Sequence, residues 1–138
     1  MRPLCLFLVA LSFVRADPPP EVTDLIARAA GALSDSNVPA FMKGIDRTMP
    51  DYGKLETQVT ALLDQATVGS SVTVRSNRGN DHKQDLELDW FLEIKSREPE
   101  GPLVRRHEIV QCEVVRRGGN WKIAKIAPLS FFAPLVGP

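Results

Sequence analysis

The sequence contains little cysteine, histidine or tyrosine. Among its 138 residues, two are cysteine, two are histidine and one is tyrosine. A catalytic zinc ion usually takes three protein ligands, and the sequence has neither an HExxH run nor paired cysteines, so we expect no metal site. It also lacks a Ser-His-Asp set and a phosphate-binding glycine loop, and we expect no cofactor.

The sequence also has no excess of charge of either sign. Seventeen basic residues balance 17 acidic ones, which gives a formal net charge of +0 at pH 7. A nearly neutral domain has no general attraction for the phosphate backbone of nucleic acid or for acidic lipid. Nucleic acid is therefore excluded as an expected partner.

A long apolar run occurs only at the N-terminus. It extends from Leu4 to Val14 after the positive Arg2, and its length of about eleven residues falls short of the roughly twenty that cross a bilayer. The small residues around Arg15 suit signal peptidase, so residues 1–16 are predicted to be a signal peptide cleaved after Ala16. We expect one domain over residues 17–138, secreted or periplasmic, with no membrane anchor after cleavage.

Cleavage would leave Cys112 as the only cysteine, so no internal disulfide is expected. Because Cys112 lies in an apolar strand pattern, we expect it to be a buried, unreactive side chain.

Three amphipathic helices are predicted before any strand. Apolar residues recur every three or four positions from about Glu21 to Leu33, in a short stretch after Asn37, and from about Asp51 to Gln65. Asn37 is a suitable N-terminal cap for the second helix because Val38 and Pro39 follow it.

Four strands are predicted after the helices, at Ser71 to Asn77, Asp85 to Lys95, Leu103 to Arg116 and Asn120 to Ala127. In the second of these, Leu86, Leu88, Trp90, Leu92 and Ile94 alternate with mostly charged residues, which indicates one buried face and one exposed face. The predicted fold class is therefore α+β, with three N-terminal helices packed on a curved antiparallel four-stranded meander that forms a cone. The apolar end of the chain, with Phe131 and Phe132, is expected to cap the sheet.

The segment Gly118 to Ile126 reads Gly-Gly-Asn-Trp-Lys-Ile-Ala-Lys-Ile. Together with the order of helices and strands from about Glu21 to Ala133, it resembles the nuclear transport factor 2-like superfamily, which includes SnoaL-like domains. The resemblance implies a cystatin-like cone with a pocket between helices and sheet. The superfamily includes isomerases, dehydratases and cyclases as well as non-enzymatic binding or dimerising domains, so it does not fix a function.

Ketosteroid isomerases of this superfamily combine a carboxylate base with a tyrosine and a protonated aspartic acid. The single tyrosine, Tyr52, lies on the third helix rather than the first, and Asp85 and Asp89 lie on the charged face of their strand. That chemistry is therefore not carried over.

Candidate pocket residues are Tyr52, Trp90 and Trp121, which would receive a small apolar ligand; the alternative is that the tryptophans simply fill the core. Weak catalytic candidates are Asp46, which follows the second helix, and His107, although strand alternation places His107 on the outer face.

Apolar residues on the outer face of the sheet are the candidate interface for a homodimer. They are Phe91, Ile109 and Val115, set among charges. The first hypothesis is thus an exported, non-catalytic domain that binds a small ligand or a protein partner. The alternatives are a proton-transfer isomerase or lyase that uses Asp46 or His107, and a structural module whose cavity is filled by Trp90, Trp121 and Phe131.

Overall fold

The computed structural model describes residues 18–135, so the predicted signal peptide lies outside the described residues. The described chain runs through α1 (Pro20–Ser34), α2 (Val38–Lys43), α3 (Tyr52–Gln65), β1 (Ala66–Gly79), β2 (Lys83–Ser96), β3 (Leu103–Arg117), β4 (Asn120–Ala127) and a 3₁₀ helix (Leu129–Phe132). None of the described helices is both long enough and apolar enough to cross a membrane.

The helix ends follow the capping residues in the sequence. The Asn37 side chain accepts a hydrogen bond from the Ala40 amide at 3.0 Å, as its position before α2 predicts. At the other end of the helical layer, the Arg97 guanidinium donates to the Leu63 carbonyl through Nε and Nη2, at 3.2 and 2.9 Å. Arg97 thereby satisfies a carbonyl that the C-terminal turn of α3 leaves without a helical partner.

The four strands form one antiparallel sheet in the order β1-β2-β3-β4. Trp90 in β2 lies between Val72 of β1 and Glu108 of β3, and this register puts the apolar residues of β2 on one side. The glycine turn between β3 and β4 uses positive φ at Gly118 and Gly119, 57° and 94°, which suits residues without a Cβ. The chain therefore returns as a meander, with every neighbour in the sheet also a neighbour in sequence.

The inner face of the sheet and the helices enclose a single apolar core. Every apolar residue of the β2 stripe is buried, with Leu88, Trp90 and Ile94 fully inaccessible. Helices α1 to α3 cover part of this face, and the 3₁₀ helix covers the rest with Phe131 and Phe132, which are 1% and 0% exposed. The opposite, outer face carries the charged residues of β2.

The predicted α+β arrangement of three helices and a four-stranded antiparallel meander is confirmed. The first strand is longer than predicted: it begins at Ala66, directly after α3, rather than at Ser71. Its first half lacks the strong apolar alternation of β2 because Gly69, Ser70 and Ser71 interrupt it, and backbone pairing with β2 holds those residues in the sheet.

Two leucines on strands should differ in how much stability they lose on truncation. Leu88→Ala is expected to reduce the free energy of unfolding by about 2 to 5 kcal/mol because Leu88 is fully buried. Leu103→Ala removes the same atoms from a side chain that is 52% exposed, and its cost should stay below about 1 kcal/mol. Urea unfolding of both variants tests this, and equal losses would contradict the assigned faces.

Candidate functional site

The centre of the cone is filled by aromatic side chains of the chain itself. The Trp90 ring contacts Phe132 in an edge-on arrangement, with centroids 5.2 Å apart, and Phe131 at 6.0 Å. Phe41 of α2 adds a further ring 5.8 Å from that of Phe132. The indole Nε1–H of Trp90 donates to the Ser70 hydroxyl at 2.9 Å. Trp90 is thus a satisfied core residue with no accessible surface.

The segment Pro128–Leu135, here called the C-terminal strap, is held in place by polar contacts at its backbone. The Arg106 guanidinium donates through Nη1 to the carbonyls of Phe131 and Ala133, at 3.0 and 2.6 Å, and through Nη2 to that of Pro134, at 3.3 Å. The Leu135 amide donates to the Gln65 side chain at 2.8 Å. Two aromatic rings therefore enter the cone while an arginine holds the backbone behind them.

Asp46 lies directly after α2 and is 6% exposed. Its Oδ1 accepts hydrogen bonds from the amide and the hydroxyl of Thr48, at 3.0 and 2.9 Å, and its Oδ2 accepts one from Arg117 Nε at 2.8 Å. The hydrogen bond from the Thr48 amide, together with those from Arg117 and the Thr48 hydroxyl, lowers the pKa of Asp46 against the opposing effect of burial. A carboxylate stabilised in its charged form is a weak proton acceptor, which argues against Asp46 as a general base.

Two open grooves flank the C-terminal end of α2. One, of about 850 Å³, lies between α1, α2 and the β3–β4 turn and includes Trp121. The other, of about 700 Å³, includes Tyr52 and Asp46. Lys43 and Lys122 line both grooves, and the Lys122 ammonium donates to the Lys43 carbonyl at 2.7 Å.

The outer face of the sheet carries a small apolar cluster, here called the Phe91 patch and defined as Phe91, His107 and Ile109. Phe91 and His107 are direct partners on β2 and β3, and their rings stack with centroids 3.9 Å apart and planes 4° from parallel. His107 Nε2 is hydrogen-bonded to Asp89, whose carboxylate accepts. Phe91 remains 47% exposed.

The predicted site residues do not form one site. Trp90 is enclosed in the core, while Trp121 and Tyr52 line different grooves. Asp46 shares a groove with Tyr52, but His107 lies on the opposite, outer face of the sheet. Val115 also lies on the outer face, at a distance of six residues along β3 from Ile109, or about 20 Å.

Cys112 is buried, and burial, with a smaller effect from Glu113, raises the pKa of its thiol. This environment disfavours the reactive thiolate. Within residues 18–135, no three side chains among His, Cys, Asp and Glu come together as metal ligands.

The sequence analysis missed the inward position of Arg106 and the exposed position of Leu103. The pattern of four arginines on β3 suits either anion binding or, better, cross-strand pairs with the carboxylates of β2. Arg105 forms such a pair with Glu93 at 3.1 Å. Arg106 instead lies beside the buried Leu92 and contacts the strap, Arg116 lies over the Trp121 ring, and Arg117 binds Asp46. The strand alternation that assigned His107 to the outer face would also have assigned Arg106 to the inner face and Leu103 to the outer one.

The search against protein families found no matching family model, and the search of curated proteins found no match. Solved structures do match. A nuclear transport factor 2-like superfamily protein from Salmonella enterica aligns with a TM-score of 0.62 and 10% identity, over 77% of this chain and 85% of that one. A protein with a cystatin-like fold from Nostoc punctiforme gives 0.59 and 19% over 77% and 85%.

An enzyme is among the similar structures. A type 2 hexachlorocyclohexane dehydrochlorinase (LinA) aligns with a TM-score of 0.59 and 14% identity, over 77% of this chain and 80% of that one. Identities this low establish the fold alone. The chain therefore has the nuclear transport factor 2-like fold, which proteins of unknown function and enzymes share.

Replacing Asp46 with asparagine should reveal the contribution of its charge to stability. At pH 7 the variant is expected to lose about 1 to 3 kcal/mol, because buried hydrogen bonds to a charged acceptor are replaced by weaker ones. Since the folded-state pKa is lowered, the stabilisation by the charged group is present above about pH 4 and is lost as pH falls through the folded-state value.

The difference in unfolding free energy between wild type and Asp46→Asn should therefore shrink towards acid pH. Urea unfolding of both proteins from pH 7 to pH 3 measures it. A difference that stays constant with pH would show that the Asp46 charge does not stabilise the fold.

Proposed function

We propose that this chain is a non-catalytic domain that forms a homodimer through the outer face of its sheet. The observation that carries the proposal is the difference in exposure between the two faces of β2. Trp90 on the inner face is covered by the chain itself, whereas Phe91 on the outer face is 47% exposed. Exposed aromatic residues within a charged surface are typical anchors of protein interfaces.

The composition around Phe91 supports a protein partner. Asp89 is hydrogen-bonded to His107, and Glu93 is paired with Arg105, so both carboxylates beside the apolar cluster already have a partner. Such pairs at the rim of an interface provide polar complementarity, while the stacked rings supply apolar area that is lost to water on association.

The enzyme alternative has less support from the geometry. Asp46 accepts three hydrogen bonds in an open groove, and His107 lies on an exposed face away from the cone. An acid or base must reach the substrate proton in a site that excludes water. Neither side chain lies in such an enclosed space.

The proposal includes export of the domain after cleavage behind Ala16. The support for this part is the sequence alone: a positive start, a short apolar run and small residues around the cleavage site.

Charge placed in the Phe91 patch should separate the two protomers. Light scattering at high micromolar concentration is expected to give the wild type about twice the mass of one chain. Phe91→Asp should weaken the dimer at least thirtyfold, about 2 kcal/mol, because a desolvated charge replaces an interface anchor. The matched control is Thr57→Asp, which adds the same charge at an exposed position of α3. A monomeric wild type, or a Phe91→Asp dimer of undiminished affinity, would refute the proposed interface.

Export can be tested by the mass of the secreted protein. When the chain is expressed in a secreting host, the product is expected to begin at Asp17, and Ala16→Arg should block processing because signal peptidase requires a small residue there. Ala16→Ser retains a small residue and should be cleaved normally. Recovery of uncleaved wild-type chain from the cytoplasm would show that residues 1–16 are not a signal peptide.

A further inference from the structure

We propose that the C-terminal strap covers a binding site for an aromatic carboxylate, in which Arg106 would bind the carboxylate and Trp90 would contact the ring. In this proposal the strap is an intramolecular competitor: Phe131 and Phe132 occupy the space of the aromatic group, and backbone carbonyls occupy the position of the carboxylate. The inference is independent of dimerisation, because the strap and the Phe91 patch lie on opposite faces of the sheet.

The first support is the electrostatic environment of Arg106. Its side chain is half buried on the inner face, and partial burial lowers the pKa of the guanidinium without removing its charge. No Asp or Glu among the described residues forms an ion pair with it, and within that part of the chain it donates to the neutral carbonyls of Phe131, Ala133 and Pro134.

Arginine binds a carboxylate through two parallel N–H···O bonds, which are roughly twice as strong as bonds between neutral groups. The carbonyls of the strap accept hydrogen bonds from the same N–H groups of Arg106, but they carry no negative charge. A carboxylate at this position would therefore neutralise a partly desolvated cation, which gives an incoming anion an advantage over the strap.

The second support is the character of the space occupied by the strap. Phe131 and Phe132 contact Trp90, and Phe132 also contacts Phe41, so the wall of the cone at this point is aromatic. Tilted and edge-on packing of this kind would be equally available to the ring of a ligand. The site thus combines an aromatic wall with the Arg106 cation at its edge.

The third support is the way in which the strap is attached. It leaves the sheet after β4 ends at Ala127 and lies over the core without joining a strand ladder. Beyond the Arg106 contacts, its end is fixed by the bond from the Leu135 amide to Gln65 Oε1. The burial of Phe131 and Phe132 also holds the strap, but displacing it breaks no hydrogen bond of the strand ladders, and the ring of a ligand would take over the contact with Trp90. The closed population of the strap lowers the apparent ligand affinity in proportion to the fraction of molecules that are open.

The test uses the full chain with two probes of nearly equal shape, 2-naphthoate and the neutral 2-naphthamide. Calorimetry or ligand-observed NMR measures binding, and hydrogen exchange measures the strap. Binding of 2-naphthoate to the wild type is expected to accelerate exchange at the amides of Phe131, Ala133 and Leu135, which are hydrogen-bonded in the closed strap. Binding without this acceleration would place the ligand elsewhere and overturn the proposal.

Two variants separate the roles of the strap and the arginine. Gln65→Ala loosens the strap and leaves the aromatic wall intact, so both probes should bind more tightly. Arg106→Met also loosens the strap but removes the cation, so 2-naphthoate should bind at least about tenfold more weakly while 2-naphthamide binds as well as before or better.

These opposite responses distinguish a carboxylate site from an ordinary apolar cavity. Equal effects of Arg106→Met on both probes, or no binding of 2-naphthoate to either the wild type or Gln65→Ala at millimolar concentration, would refute it. Circular dichroism and thermal unfolding show whether each variant is folded. If Arg106→Met does not fold, the comparison of Gln65→Ala with the wild type still tests the site.

Discussion

The structure depends on covering the inner face of β2. A strand with five large apolar residues on one side cannot remain exposed to water, because each buried side chain of this size contributes about 1.5 to 3 kcal/mol. Three helices cover part of that face, and the C-terminal strap covers the remainder, around Trp90. The position of the strap is thus dictated by the same hydrophobic stripe that fixes the sheet, and the interior of the cone is used for packing.

The strict alternation of β2 also determines where chemistry is possible. Its carboxylates lie on the outer face, beside Arg105 and His107, and not in the cone. Arg106 of β3 lies on the inner face, because it is four positions along the strand from the buried Val110.

Periodicity in the sequence was sufficient for the order of the helices and strands and for the two faces of β2, but not for the start of β1. The buried stripe of β2, the position of α2 after Asn37 and the outer location of His107 all follow from local patterns that the structure reproduces. Contacts between distant parts of the chain were not predictable in this way. Asp46 and Arg117 are 71 residues apart, and no local pattern relates them.

The candidate site was less predictable than the fold for a similar reason. Large aromatic residues suit a ligand pocket as well as a core, and the choice between these roles depends on where the C-terminal strap returns. The apolar composition of the strap indicated that it would cap the sheet, but not that Phe131 and Phe132 would enter the cone at Trp90. The charge of Arg106 favoured a cross-strand ion pair on the outer face, whereas its position in the strand alternation indicated the inner face, where the structure places it.

The loop after α2 has a consequence for how this protein can assemble. The Asp46 amide donates to the Ile123 carbonyl at 2.7 Å, and the Ile123 amide donates to the Gly44 carbonyl at 2.8 Å, so this loop occupies part of the free edge of β4. At the other edge, β1 pairs within the described residues only with β2, and a register shift between Val74 and Ser76 interrupts its regular ladder.

Irregular or occupied edges disfavour pairing with a strand of another molecule. Regular free edges can pair repeatedly, as they do in a fibril. In the proposed dimer, contacts between copies would therefore form on a face of the sheet rather than at its edges. Face-to-face contact about a two-fold axis uses the same surface of both molecules and ends at two copies. The short loop at Gly44–Asp46 would thus help to limit the proposed association to two copies.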